Sequence, residues 1–273
     1  MRAVREVSAR SEYPECSRPK LRPDPRKRSG HFNVAHHISS GKWNAMKGMA
    51  WEAKLAVTVL LFLSITPTVL STAPAVPVDG RFASLTIGVQ IPTSPKWAHD
   101  VVLNATEAWN RAQIWYQEHF QLGPVYTFIP AHDNANVTVM FTPLPPHFGG
   151  LTCFTYSGLP AGYAIGGVIK SAVIQLPSNI FNATQIDNAT DRLLAWRIAL
   201  HELGHVLGLG ETIGTGDITA MFLSQNQGLI STLDLYTIHY LATQPTRAIP
   251  PPFITLPPTI PYEFIEATTF LES

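Results

Sequence analysis

Charge is scarce in this 273-residue chain: Asp, Glu, Lys and Arg make up 14 % of it, against 45 % hydrophobic residues. That balance excludes a highly charged disordered polymer and a long coiled coil. Cysteine is scarcer still, with Cys16 and Cys153 alone. Because Cys16 falls in a basic leader, the rest of the chain lacks a second thiol for an internal disulfide, and its stability is expected to come from packing, with metal as a candidate further source. There is no internal repeat. There is also no run of the ~20 apolar residues that comfortably spans a bilayer.

The formal net charge is zero, but only by cancellation. Residues 1–75 hold 12 Lys and Arg against 5 Asp and Glu, which leaves 7 against 14 for the remainder. The acidic excess gives that remainder little attraction for nucleic acid or anionic lipid, so no nucleic-acid partner is expected.

Where the two segments meet lies the longest apolar run, Leu55 to Leu70, preceded by Lys47 and Lys54 and followed by Ser71-Thr72-Ala73-Pro74-Ala75. A basic flank, a short apolar stretch and a small-residue exit are the layout of a secretory signal, placed here at 46–75. The expected location is therefore secreted. If the run at 55–70 is not cleaved, the alternative is a membrane-anchored protein with its domain outside. Residues 1–45, rich in Pro, Ser and Arg, have no periodicity that could build a core and are expected to be a disordered leader. Met46 or Met49 would make a more natural start for the signal, which would leave 1–45 untranslated. Four glycosylation acceptors, at Asn104, Asn136, Asn182 and Asn188, follow the signal and agree with export.

In the exported part, Ser84–Gln90 has the pattern of a strand. From about Ser94 to Phe120 the spacing predicts an amphipathic helix with Trp97, Val101, Ala105, Trp109 and Ile114 inward. Val125–Ile129, Val137–Phe141, Cys153–Tyr156 and Ala172–Leu176 read as further strands. A second long helix is expected from about Thr190 through Leu207, ended by the glycines at 208 and 210. Ser231 followed by Asp234 is a capping box that opens a third helix, Ser231–Leu241. Seven prolines between 245 and 261 make the C-terminal tail, 244–273, extended, either draped over the domain or a linker.

The chemistry-bearing stretch is His201-Glu202-Leu203-Gly204-His205 on the second long helix. Two His four residues apart lie about 40° apart around a helix and about 6 Å along it, so both imidazoles can reach one metal ion. Glu202 projects beside that pair, which suits a carboxylate that takes a proton from water rather than one that ligates the metal. Leu193–Leu200 ahead of it is largely apolar, and Gly208 follows where the chain must leave the helix.

With HELGHVLGLGE at 201–211 and Gly216-Asp-Ile-Thr-Ala-Met221-Phe downstream, the chain resembles the metzincin clan of zinc metalloproteases, its matrixin-like branch most closely. The family pattern is HExxHxxGxxH followed by a Met-containing turn, and His201, Glu202, His205, Gly208 and Met221 stand at matching positions. The resemblance covers residues 82–243. It implies an α+β domain of two layers, zincin-like, with a mixed twisted sheet, a long active-site helix, a Met-turn and a C-terminal helix.

It also implies one catalytic Zn2+, with His201 and His205 as ligands and Glu202 as general base in the hydrolysis of a protein or peptide substrate by a monomeric endopeptidase. The substrate would lie extended along an edge strand near Leu151–Tyr156, with a pocket near Met221–Leu223. One departure matters, since the family's third histidine is Glu211 here. A carboxylate is an accepted zinc ligand, so Glu211 is the expected replacement, with Asp217 as the competing ligand and His239 further off. His132, Asp133 and His147 sit in loops where such proteins hold structural Ca2+ or a second Zn2+, without a liganding spacing that settles either. The alternative function is a catalytically inactive domain of the same fold that acts in surface binding.

Overall fold

A computed structural model describes residues 75–270, apart from 121–122, 124, 146–147, 158–166, 182–188, 213–215, 220–225, 246–247 and 249; at Ala189, Asp217 and Asn226 it describes the backbone alone. The expected leader, the apolar run at 55–70, Asn182, Asn188, His147 and Met221, the residue expected in a Met-turn, therefore lie outside the described residues. No described helix is long and apolar enough to cross a membrane.

Eleven strands and four α-helices are described, with one closing turn of 3₁₀-helix. In chain order they are β1 (Ala75–Pro77), β2 (Gly80–Phe82), β3 (Thr86–Gln90), α1 (Lys96–Phe120), β4 (Thr127–Pro130), β5 (Val137–Thr142), β6 (Leu151–Ser157) and β7 (Gly167–Pro177). Then follow α2 (Ser178–Phe181), α3 (Ala189–Val206), β8 (Gly216–Asp217), β9 (Asn226–Ser231), α4 (Thr232–Thr243), β10 (Phe253–Thr255), β11 (Phe264–Glu266) and the 3₁₀ turn Ala267–Phe270. The elements expected from the spacing are present, and β7 begins five residues ahead of the expected run at 172–176.

The main sheet has six strands in the order β2-β7-β5-β3-β4, with β6 added to β7. Every pairing is parallel except that of β6, which runs antiparallel along β7. The fold is thus an α/β arrangement around a mostly parallel mixed sheet. Along β7 the residues Ile169, Ala172, Ile174 and Leu176 are buried while Lys170 is exposed. This alternation places one face of the sheet in the core.

Helix α1 buries Ala98, Val102, Ala105, Trp109, Ala112 and Tyr116, a stripe at helical spacing. Ile114 does not belong to it. It is 47 % exposed, because position 114 comes five residues after Trp109 and so lies about 140° around the helix from it. Trp109 also ties α1 to α3: its indole N–H donates to Leu200 O at 2.8 Å, one residue before His201.

Two side chains of α1 cover the β4 edge of the sheet. Asn110 bonds both the N–H and the C=O of Phe128, at 2.8 and 2.9 Å, and Gln113 accepts from the N–H of Tyr126 at 3.0 Å. Backbone groups that an edge strand would offer to another chain are thereby used within the fold.

Helix α4 opens with the expected capping box, Ser231 accepting from the N–H of Asp234 and Asp234 accepting in return from the N–H of Ser231. The proline-rich tail is extended and lies on the domain. β10 pairs antiparallel with β1, and β11 with β9. The buried guanidinium of Arg81 donates to Ala248 O and Pro245 O, which fixes the start of the tail beside β2.

Candidate metal centre

The site grows from the end of α3. His201 and His205 sit one turn apart, and their Nε2 atoms are 3.1 Å apart with the rings at right angles. After Val206 the chain turns at Gly208, whose φ of +99° is a conformation that side chains with a Cβ rarely adopt. A Cβ there would also collide with Gly80 O and come within 2.7 Å of Leu241 Cδ1. Glycine at 208 is required by conformation and by space, and it returns Glu211 toward the two imidazoles.

Glu211 Oε1 is 3.8 Å from His205 Nε2, and Oε2 is 3.9 Å from His201 Nε2. The ligand-type atoms of the three residues all lie within 4.8 Å of one another. Of the sequence candidates, His201, His205 and Glu211 are therefore brought together. His239 lies on α4, buried, outside that group, and His132 and Asp133 form no metal-type cluster with other described residues.

Both imidazoles are oriented from behind. His201 Nδ1 is 2.7 Å from Ile218 O, and His205 Nδ1 is 2.7 Å from Leu209 O. A carbonyl can only accept, so each Nδ1 carries the proton and each Nε2 turns its lone pair into the site. Two lone pairs 3.1 Å apart repel unless a cation or a proton lies between them. Two nitrogens bound to one tetrahedral ion at 2.0–2.1 Å are about 3.3 Å apart, close to this separation. Glu211 Oε2 is buried and accepts no hydrogen bond, so it too awaits a positive partner. The donor set fits a divalent cation.

The electrostatics point the same way. Burial opposes charge on His205, but the hydrogen bond to Asp79 and the negative charges of Asp79, Glu202 and Glu211 outweigh it and push the imidazole up from 6.5 to about 10. Carboxylates converge on one buried ring. In the absence of metal a proton satisfies them.

Glu202 is 97 % buried, and its carboxylate belongs to a different set of contacts. Thr152 Oγ donates to Glu202 Oε2 at 2.6 Å. Gly150, just before β6, leaves the space that Glu202 fills, since a Cβ there would collide with Oε1 and come within 2.7 Å of Cδ. The carboxylate is held at the foot of the antiparallel strand β6, on the residue next to His201.

Asp79, Gly150, Thr152 and the carbonyls of Leu209 and Ile218 carry no sequence signal for these roles. Thr152 lies 50 positions from Glu202, and nothing in the residues around either one sets that distance. Only the loop just past Gly208 could have suggested that its own carbonyls face the helix end.

No protein-family model and no curated protein matches the chain. A solved structure described as "GM1 bound form of the ECX AB5 holotoxin" overlaps it at 10 % identity and a TM-score of 0.30, covering 50 % of this chain. The overlap spans 61 % of the length of that chain, and at this TM-score it carries no weight for fold or function.

Proposed function

We propose that the protein is a zinc-dependent endopeptidase of metzincin type, exported from the cell. The single observation that carries this reading is the position of Glu202: a buried carboxylate, fixed by Thr152, one residue from the first of two converging imidazoles that share a cation-ready site with Glu211. The Glu202 carboxylate is hydrogen-bonded to Thr152, whereas the Nδ1 atoms of the two imidazoles face the carbonyls of Ile218 and Leu209, so Glu202 is not one of the groups that orient the rings and suits a proton acceptor for water.

His201, His205 and Glu211 are the residues that would hold the ion, which agrees with His₂Glu zinc chemistry. Zinc bound there supplies a Lewis acid for the peptide carbonyl and lowers the pKa of water. The chain's own residues do the rest. Glu202 takes the proton of the attacking water as the new C–O bond forms. It returns that proton to the amide nitrogen as the C–N bond breaks, so the carboxylate is regenerated and no covalent enzyme intermediate arises. Thr152 keeps the Glu202 carboxylate in one orientation through both transfers.

The geometry also supports an extended substrate. β6 pairs with β7 alone among the described strands, while α1 side chains cover the β4 edge. A peptide added to the outer side of β6 would pass Glu202 and Thr152 and would gain main-chain hydrogen bonds.

The test is metal content together with cleavage of a peptide library by the purified protein and by Glu202→Ala. The expected result is one zinc per chain in both, with cleavage at least 10²-fold slower in the variant, the usual range for a lost general base. Zinc in both with cleavage in neither would instead indicate an inactive binding domain.

A further inference from the structure

Behind the metal centre lies a segment that the family-like stretch does not include. Pro77, Val78 and Asp79 run antiparallel to Gly208, Leu209 and Gly210, the residues that lead into Glu211. The N–H of Gly210 donates to Pro77 O at 2.7 Å, the N–H of Asp79 donates to Gly208 O at 2.9 Å, and Val78 bridges Leu209. Gly210 makes this approach possible, since a Cβ there would stand 2.8 Å from Pro77 Cβ.

On the outer side the N–H of Val78 donates to Pro252 O at 3.0 Å, so the tail closes over the segment. The Tyr156 hydroxyl from β6 donates to Asp79 O at 2.9 Å. Asp79 is thus fixed from several directions. Its Oδ2 lies 3.2 Å from His205 Nδ1, which shares its proton between this carboxylate and Leu209 O.

We infer that Pro77–Asp79 is a clasp that builds the metal centre from the N-terminal side, with Asp79 as a positioning residue for His205. The backbone of the clasp holds the loop that presents Glu211. Its carboxylate orients the His205 ring, makes Nε2 a better donor, and adds negative charge behind the ion. The inference rests on the metal-centre part of the proposed function and not on peptide cleavage.

The test measures zinc affinity of the full chain by competition with a chromogenic chelator. It compares the wild type with Asp79→Ala, Asp79→Asn, His205→Ala and the remote surface variant Asp100→Asn. Co2+ absorption spectra are recorded beside it. Asp79→Ala is expected to weaken zinc binding about tenfold, the lower end of the range for an outer-shell partner, and to shift the Co2+ bands. Asp79→Asn, which keeps an acceptor and loses the charge, is expected to fall between that and the wild type. Asp100→Asn should be unchanged.

Wild-type affinity in Asp79→Ala beside a weakened His205→Ala overturns the clasp and leaves the metal centre standing. Wild-type protein that binds no zinc overturns both. If Asp79→Ala does not fold, Asp79→Asn decides, and wild-type affinity and spectrum there count against the clasp.

Discussion

The candidate metal centre has two halves of different origin. His201, Glu202 and His205 occupy one turn of α3, and the pitch of the helix sets their relation. Glu211, Asp79 and the carbonyls of Leu209 and Ile218 come from loops and a short strand, and only packing between separate parts of the chain sets theirs. The helix half is stiff because its geometry is local. The loop half is accurate only while Gly208, Gly210 and Pro77–Asp79 remain in register.

The largest effect should come from breaking the loop half. Gly208→Ala places a Cβ where the backbone has φ +99° and where Gly80 O already stands. A loss of roughly 3 kcal/mol or more is expected from strain and overlap together. Chemical denaturation measures it. Zinc affinity should fall as well, because the turn aims Glu211; a Gly208→Ala protein with wild-type stability and affinity would remove the distinction between the halves.

Next comes the support of the helix half. Trp109 is fully buried and bonds Leu200 O, so Trp109→Phe loses a hydrogen bond and opens a small void. The expected loss is about 2 kcal/mol. If the helix half is as locally determined as its pitch implies, zinc affinity changes less than in Gly208→Ala. Equal losses of affinity would show that α3 relies on tertiary support as much as the loops do.

A smaller effect isolates the proposed base from the proposed ligands. Thr152→Val removes the donor to Glu202 Oε2 at nearly constant volume. Turnover is expected to fall roughly tenfold, about 1.4 kcal/mol, with KM and zinc content nearly unchanged, because the hydrogen bond orients a group and binds neither metal nor substrate. Thr152→Ser should restore most of the rate. A change confined to KM would assign Thr152 to substrate binding.

The smallest expected effect is in alkali. Burial pushes Tyr126 up from 10 to about 12, against the opposing charge and hydrogen bond of Arg81, and burial also raises Tyr116 and Tyr156. The unfolded chain therefore loses these protons first. Stability is fully present below pH 10 and declines as pH rises from there toward 12, an effect absent at neutral pH. Tyr156 donates to Asp79 O, so the loop half is expected to loosen with it, and a shallower decline in Tyr156→Phe checks this.

Much of the layout was legible without coordinates, for reasons tied to particular residues. The stripe through Ala105 and Trp109 marked α1, the pair Ser231 and Asp234 marked the start of α4, and Gly208 marked the end of α3. Each of these signals acts within one or two helical turns. Ile114 was misplaced because a stripe read from large apolar residues ignored Ala98, Ala108 and Ala112, the small residues that let α1 approach its neighbours. The sheet order was not legible, since β3, β5 and β7 pair across long separations that hydrophobic runs do not encode.

By itself the sequence determined that two histidines and a glutamate share one helical turn, and that a glycine ends that helix two residues after Val206. Those follow from backbone geometry over a few residues. Only the tertiary structure decided that Glu211 returns to the imidazoles, that Thr152 holds Glu202, and that Asp79 stands behind His205. Those depend on contacts between segments far apart in the chain, where the relative position of two groups is fixed by the packing of everything between them.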